Sequence, residues 1–125
     1  MRRDFPATRG YLDMTTPSLS LKKIYSGKVR DLYEIDDKRM LMVATDRLSA
    51  FDVILEQPIP DKGKILTAIS NFWFDKLAHV VPNHFTGDRV EDVVPAAELP
   101  LVEGRAVVAK RLKPVAVEAI VRGYI

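Results

Sequence analysis

One segment of this sequence repeats its apolar residues at helical spacing, and strand-like segments lie on both sides of it. After Gly63 the apolar side chains recur three or four positions apart, at Ile65, Leu66, Ile69, Phe72, Trp73 and Leu77. This spacing predicts one amphipathic helix of about four turns, and Asp61 is expected to cap its start. A single helix among strands indicates an α+β fold, built on an antiparallel β-sheet with one main amphipathic helix.

The strand-like segments occur in two groups. The stretch SLKKIYSGKVRDLYEI alternates β-branched and aromatic residues with charged ones, which predicts two extended pieces around a bend at Ser26-Gly27. The nearly unbroken apolar run 39–45 suits a buried strand, so an antiparallel meander is expected. Segments 105–112 and 115–125 are also rich in strand-forming residues and meet at Lys113-Pro114, which predicts a hairpin or a strand leading into a hinge.

The segments between these elements are expected to be irregular. Residues 45–52 are polar and predict a loop, and Pro58 and Pro60 exclude a central strand after it. Residues 80–104 contain several prolines and glycines, which predicts a long connection with one short strand near His84-Phe85.

Composition restricts the class of protein. The chain has 125 residues, of which 47% are hydrophobic and 29% charged, and this suits one globular domain. We expect residues 1–18 to be a disordered lead-in and residues 19–125 to be the folded domain. The net charge of +2 is spread along the chain, so no nucleic-acid partner is indicated. The apolar stretches are too short for a membrane span, and the absence of cysteine fits a cytoplasmic protein.

The first candidate binding residues surround the predicted bend. If residues 27–31 form a strand, Lys28 and Arg30 share one face with their Cα atoms about 6.6 Å apart. Two cations beside Gly27 can straddle neighbouring phosphates of a nucleotide. A solvated strand face explains the same spacing. The segment is not a Walker loop, because Lys22 and Val29 occupy positions that need glycine and a hydroxyl residue.

A second group of hydrogen-bonding residues occupies the predicted loop. Arg47 can hold a phosphate or a carboxylate, Ser49 can donate its hydroxyl, and Asp46 and Asp52 can accept from a sugar hydroxyl or ligate magnesium. Ordinary turn chemistry explains the same residues.

Three charged residues near the end of the chain form the third group. In a strand, Glu118 and Arg122 share one face about 13 Å apart, which is too far for a direct ion pair, so each is expected to contact something else. Lys110 shares its face with apolar residues such as Val108, where a lysine needs an anionic partner unless it snorkels to the edge.

Four blocks in register resemble a known family: GKVRDLYEI, TDRLSAFDVI, KGKILTAISNFWF and AKRLKPVAVEAIVRGY. They are similar to the amino-terminal part of the SAICAR synthetase (phosphoribosylaminoimidazole-succinocarboxamide synthase) family, from about Leu19 to Ile125. The resemblance implies an ATP-dependent ligase of de novo purine biosynthesis that uses ATP and Mg²⁺. Its substrates would be CAIR and L-aspartate, and its products SAICAR, ADP and phosphate. It also implies a nucleotide-binding amino-terminal lobe related to kinase and ATP-grasp folds.

The resemblance implies roles for individual positions. Those expected to bind ATP are Gly27, Lys28, Arg30, Lys110, Arg111 and Pro114. Those expected to bind substrate are Ser49, Asp52 and Arg122, where Arg122 matches an arginine associated with CAIR. Glu118 and Arg122 belong to one motif and are the expected catalytic residues. No metal ligand is assigned among them, and the magnesium ligands are expected beyond Ile125.

The family pattern continues after the final RGY, so the chain is expected to be a truncated portion of the enzyme, inactive alone, whose exposed sheet favours self-association. One alternative is a stand-alone nucleotide- or anion-binding module without catalysis. A nucleic-acid-binding β domain is ranked below both.

Overall fold

The computed structural model describes residues 18–124, so residues 1–17 of the predicted lead-in lie outside the described part. Its elements, in chain order, are β1 (Lys23–Ser26), β2 (Arg30–Glu34), β3 (Arg39–Ala44), β4 (Ser49–Ala50), β5 (Val53–Ile54), α1 (Lys62–Leu77), a 3-10 turn (Val90–Asp92), α2 (Leu99–Val102) and β6 (Ala106–Lys110). The α+β class with one main helix is confirmed. No helix in residues 18–124 is long and apolar enough to cross a membrane.

Four of the strands form one antiparallel sheet in the order β1-β2-β3-β6. The predicted meander and the bend between its first two strands are therefore confirmed. The predicted short strand near residue 85 consists of a single bridge from Phe85 to Ala109 on β6. The predicted loop at residues 45–52 is wrong in part, because Ser49–Ala50 pairs with Val53–Ile54 as a separate small hairpin.

One face of the sheet carries the hydrophobic core. Alternation along the strands places Tyr33, Leu41, Val43 and Val108 on this face, where each is almost completely buried. They pack against the connection that contains the 3-10 turn and α2. The long connection predicted for residues 80–104 thus packs on the core face of the sheet and shields it from solvent.

Helix α1 lies against the opposite face of the sheet. Its closest approach is at Gly63, where an added Cβ would lie 2.4 Å from the carbonyl oxygen of Ala44. The helix and its apolar periodicity match the sequence. An amphipathic helix normally buries its apolar face, but within residues 18–124 much of this face is exposed. Phe72 is 57% exposed and Trp73 is 49% exposed, because no described element covers that side of the helix.

The predicted strand at residues 115–125 is absent from the described chain. Residues 111–124 contain no helix or strand, and all of them are exposed. A segment with strand-forming composition becomes a strand only when another strand satisfies its backbone groups, and no described segment pairs with this one. The shared face predicted for Glu118 and Arg122 therefore has no basis in this structure.

Candidate functional site

A cavity of about 350 Å³ lies between α1 and the sheet face opposite the core. We call it the cationic cavity. Its charged or titratable lining residues are Arg30, Lys62, His84 and Arg105, and no Asp or Glu is among the described residues that line it. A concave site lined by cations favours an anionic ligand.

Arg30 differs from the other lining cations in what its side chain contacts. It is the first residue of β2, and its side chain makes no hydrogen bond or ion pair within residues 18–124. By contrast, Lys62 donates to the carbonyl of Arg47 at 3.1 Å, and Arg105 is occupied by an internal carboxylate.

Lys28 lies outside this cavity, in the turn that precedes β2. The predicted shared strand face with Arg30 is wrong, because β2 begins only at Arg30. The ammonium of Lys28 pairs with the carboxylate of Asp52 on the β4–β5 hairpin. The hydrogen bond and the opposite charge raise the pKa of Lys28 and lower the pKa of Asp52. The negative charge of Glu118 also raises the pKa of Lys28, by less than Asp52 does. The fold thus brings two of the predicted site residues, Lys28 and Asp52, into contact.

The turn that carries Lys28 is held by the segment just after β3. Arg47 donates to the carbonyls of Gly27 at 3.0 Å and Lys28 at 3.1 Å. Thr45 donates its backbone N–H and its hydroxyl to the next carbonyl, that of Val29, at 3.0 and 2.8 Å. Three successive carbonyls of the turn are thus fixed from one side. Arg47, a candidate phosphate ligand in the sequence, here positions the turn that carries Lys28.

Asp31 anchors Arg47 from the core side of the sheet. Its buried carboxylate receives Arg47 Nη2 at 2.9 Å and the Ser26 hydroxyl at 2.6 Å, and Lys23 lies 3.5 Å away. Burial by itself would raise the pKa of Asp31, but the hydrogen bonds from Arg47 and Ser26 outweigh it and hold that pKa below its usual value. Asp31 therefore remains charged at neutral pH.

Asp46, one of the hydrogen-bonding residues of the predicted loop, links three segments of the chain. Its carboxylate binds Arg105 at 2.9 Å, and both side chains are almost fully buried. It also accepts the N–H groups of Gly63 at 2.8 Å and Asp61 at 3.2 Å, so it caps α1 from a distant position in the sequence. Asp61 was the predicted cap, but it makes no side-chain capping bond and adopts a left-handed backbone with φ of 62°.

A second cavity of about 720 Å³ adjoins the first, and we call it the apolar cavity. The two cavities share Ser70, Phe74 and His84. Burial lowers the pKa of His84, and the nearby charges of Arg30 and Lys110 lower it further, which favours a neutral imidazole between the two cavities.

Lys110 lines the apolar cavity together with Leu112. The predicted apolar surroundings are present on its strand, since Val108 and Ala106 are buried. Lys110 itself is exposed, and its ammonium donates to the carbonyl of Asn83 at 3.3 Å. This geometry matches the snorkelling alternative.

Comparison with known proteins identifies the family. The family model described as SAICAR synthetase matches residues 23–125. The chain belongs to the SAICAR synthetase family. This residue range includes every element of the described sheet and both cavities.

Curated relatives show how much of a SAICAR synthetase this chain represents. A phosphoribosylaminoimidazole-succinocarboxamide synthase from Chromobacterium violaceum is 82% identical over 106 residues, which are 85% of this chain and 37% of that protein. One from Mannheimia succiniciproducens is 78% identical over 107 residues, which are 86% of this chain and 37% of that protein. The chain therefore spans little more than a third of the length of these relatives.

Solved structures of SAICAR synthetases share the fold. The structure described as the SAICAR synthase from Saccharomyces cerevisiae complexed with SAICAR has a TM-score of 0.72 and 39% identity, covering 78% of this chain and 36% of that chain. A type-2 SAICAR synthetase in complex with ADP has a TM-score of 0.55 and 25% identity, covering 70% of this chain and 33% of that chain. These matches confirm the predicted resemblance to the amino-terminal part of the family.

The remaining residues that the resemblance assigned are dispersed. Ser49 lies in β4, and Pro114 and Arg122 lie in the exposed segment 111–124 and line neither cavity. Arg111 turns back to the sheet, where it lies 3.4 Å from Glu34. Their roles in a SAICAR synthetase remain predictions.

Proposed function

We propose that this chain is the ATP-binding amino-terminal part of an ATP-dependent ligase of de novo purine biosynthesis. The ligase joins L-aspartate to CAIR and forms SAICAR, ADP and phosphate. The cationic cavity is the observation that carries this proposal, because the guanidinium of Arg30 at its wall has no partner in the described part of the chain. The names of the relatives and the ADP complex of the type-2 SAICAR synthetase support it.

The triphosphate of ATP is proposed to bind between Arg30 and Lys28. Both cations lie at or beside the turn that contains Gly27, and the hydrogen bonds from Arg47 and Thr45 keep that turn in place. Phosphoryl transfer depends mainly on alignment and on neutralising charge, which fixed cations provide.

The adenine base is proposed to lie against the end of β6 and the segment after it. The apolar cavity there is lined by Leu112 and by aromatic side chains of α1, with Lys110 at its edge. Flat apolar walls with a few polar groups are typical of base-binding sites. Arg111 and Pro114 belong to the same segment and are proposed to contribute backbone contacts.

The second substrate site is proposed to include Ser49, Asp52, Glu118 and Arg122. CAIR and L-aspartate both carry carboxylates, which suits bidentate binding by Arg122. ATP would transfer its terminal phosphoryl group to the carboxylate oxygen of CAIR. The amino nitrogen of L-aspartate would then form the amide bond at that carbon, phosphate would leave with the bonding electron pair, and the nitrogen would lose a proton. The charge of Glu118 raises the pKa of Lys28. This interaction supports placing the motif of Glu118 and Arg122 next to the proposed triphosphate site.

Magnesium fits this part of the protein only together with the nucleotide. No group of three acidic, histidine or cysteine side chains in residues 18–124 could hold a metal ion. Phosphate oxygens are common Mg²⁺ ligands in nucleotide sites, so we propose that the ion arrives bound to ATP.

A stand-alone nucleotide- or anion-binding module is the second candidate function. It is favoured by one observation, that described residues of this chain line two adjoining cavities. This module would bind ATP without consuming it.

A cytoplasmic location is proposed for either function, because a chain without cysteine suits a reducing compartment.

Self-association is proposed to involve α1 more than the sheet. Exposed apolar side chains recur along that helix, where Ile65, Ile69 and Phe72 are each more than half exposed. We expect the 125-residue chain to elute from size-exclusion chromatography at an apparent mass that rises with its concentration. A concentration-independent monomer would contradict this proposal.

Two substitutions separate the proposed ATP and CAIR contacts. In the full-length gene product, Lys28→Ala should weaken ATP binding by about tenfold or more, because a charge-assisted contact to phosphate is lost. Arg122→Ala should weaken CAIR binding and leave ATP affinity unchanged. Equilibrium fluorescence titrations measure both, and Lys38→Ala, in the exposed turn between β2 and β3, is the matched control. Normal ATP binding by Lys28→Ala would refute the phosphate assignment.

A further inference from the structure

We propose that Asp52 and the triphosphate of ATP compete for Lys28, so that nucleotide binding releases the tip of the β4–β5 hairpin. The inference rests on the proposed function, because it takes Lys28 to be a phosphate contact. It adds that Asp52 is a positioning residue, which controls whether that contact is available.

The hairpin tip is held by few interactions. A backbone hydrogen bond of 2.8 Å from Leu55 to Leu48 closes the base of the hairpin. At the tip, Phe51 is fully exposed. Among residues 18–124, the ion pair of Asp52 with Lys28 is the one side-chain hydrogen bond or ion pair that links the tip to the β1–β2 turn. Loss of this one contact would leave the tip free to change its position.

The backbone of the tip is also unusual. Phe51 has φ of 49° and Asp52 has φ of 63°, so two successive residues other than glycine adopt the left-handed conformation. Tight hairpin turns need this conformation, but glycine and asparagine adopt it more readily than phenylalanine does. The tip therefore holds Asp52 towards Lys28 in an unfavourable backbone conformation. Once the ion pair is broken, the backbone can relax to a more favourable one.

A triphosphate can displace the carboxylate of Asp52. The side chains of Lys28 and Asp52 are 56% and 87% exposed, and exposed ion pairs contribute little to stability. A triphosphate carries several negative charges and is also attracted by Arg30, whose side chain has no partner within the described residues. The same ammonium cannot fully satisfy both anions, so binding of one weakens binding of the other.

This replacement of Asp52 by the triphosphate at Lys28, which we call the exchange, connects the ATP side and the second-substrate side of the proposed site. Once ATP occupies Lys28, the carboxylate of Asp52 becomes available to accept a hydroxyl or amino group of the second substrate. Coupling between two binding events is reciprocal, so an interaction of Asp52 with the second substrate would in turn favour ATP binding.

Asp52→Asn tests the exchange in the full-length gene product. With Mg²⁺ omitted, we expect this variant to bind ATP about 1.5- to 5-fold more tightly than wild type, since a weak exposed competitor is removed. In the Lys28→Ala background the same substitution should have no effect. Asp88→Asn is the matched control, because Asp88 also forms an exposed pair, with Arg39 at 3.0 Å, away from both cavities.

The possible outcomes separate the two proposals. If Lys28→Ala weakens ATP binding but Asp52→Asn leaves it unchanged or weakens it, the exchange is wrong and the phosphate assignment stands. An equal gain from Asp52→Asn with and without Lys28 would indicate a long-range charge effect and would also overturn the exchange. If Lys28→Ala binds ATP normally, both proposals fail.

A second measurement reports the position of the tip. The protein is labelled with fluorophenylalanine, and the fluorine resonance of Phe51 is assigned by comparison with Phe51→Leu. ATP should shift this resonance in wild type, whereas in Asp52→Asn the resonance should already lie near the shifted position. A Phe51 resonance that ATP does not move would show that the tip is not released.

Discussion

Asp46→Ala is expected to lower the free energy of unfolding by about 3–5 kcal/mol, because it breaks a buried ion pair from one side. Arg105 would keep its charge in a position that is only 3% exposed, with no carboxylate to balance it. The N–H groups of Gly63 and Asp61 would lose their acceptor as well. The start of α1 would therefore detach from the sheet at the wall of the cationic cavity.

Chemical denaturation measures this loss as a fall in the midpoint with little change in slope. Asp88→Ala is the control, because it removes a carboxylate from an exposed pair and should change the midpoint very little. Similar midpoints for Asp46→Ala and Asp88→Ala would contradict the role assigned to the buried pair. Asp46→Asn should be less severe, since its amide oxygen can still accept one of the two N–H groups.

Gly63→Ala is expected to destabilise the protein, although alanine is the better helix former. In an exposed helix this substitution would stabilise by about 1 kcal/mol. Here the new Cβ would lie 2.4 Å from the carbonyl oxygen and 2.9 Å from the carbonyl carbon of Ala44, which are backbone atoms of a central strand. The helix would have to move away from the sheet, at a cost of about 1–3 kcal/mol.

The control for this prediction is Gly123→Ala, because nothing lies within 4 Å of the Cβ position at Gly123. Thermal unfolding of the two variants should differ clearly, with the melting temperature lowered only for Gly63→Ala. A melting temperature for Gly63→Ala at or above that of wild type would show that α1 does not pack this closely. Since α1 forms one wall of the cationic cavity, the destabilised variant should also bind ATP less tightly.

Local patterns in the sequence predicted much of the fold and part of the site. The bend at Gly27 and the strands around it were predictable, because alternation and a glycine are local signals. The ion pair of Lys28 with Asp52 was not predictable, since it depends on a hairpin whose two short strands lie inside a segment that looks like a loop. Arg47 was predicted to hold a phosphate or a carboxylate of a ligand, whereas its role in holding the turn depends on the strand register that places Asp31 beside it.

The last segment shows the limit of local patterns most clearly. Residues 115–124 have the composition of a strand, yet they form none in the described structure. Composition measures how well side chains suit a sheet, whereas a strand exists only where a neighbour completes its hydrogen bonds.

The amino-acid sequence by itself determined the α+β class, the sheet strands, the helix and the family, because each follows from periodicity or from motifs a few residues long. Tertiary structure alone decided which cations face a cavity, which are occupied by internal carboxylates, and that Asp46 caps a helix that begins sixteen positions later, at Lys62. These outcomes depend on contacts between residues far apart in the chain, and the energy of a buried or exposed charge depends on what the fold places beside it.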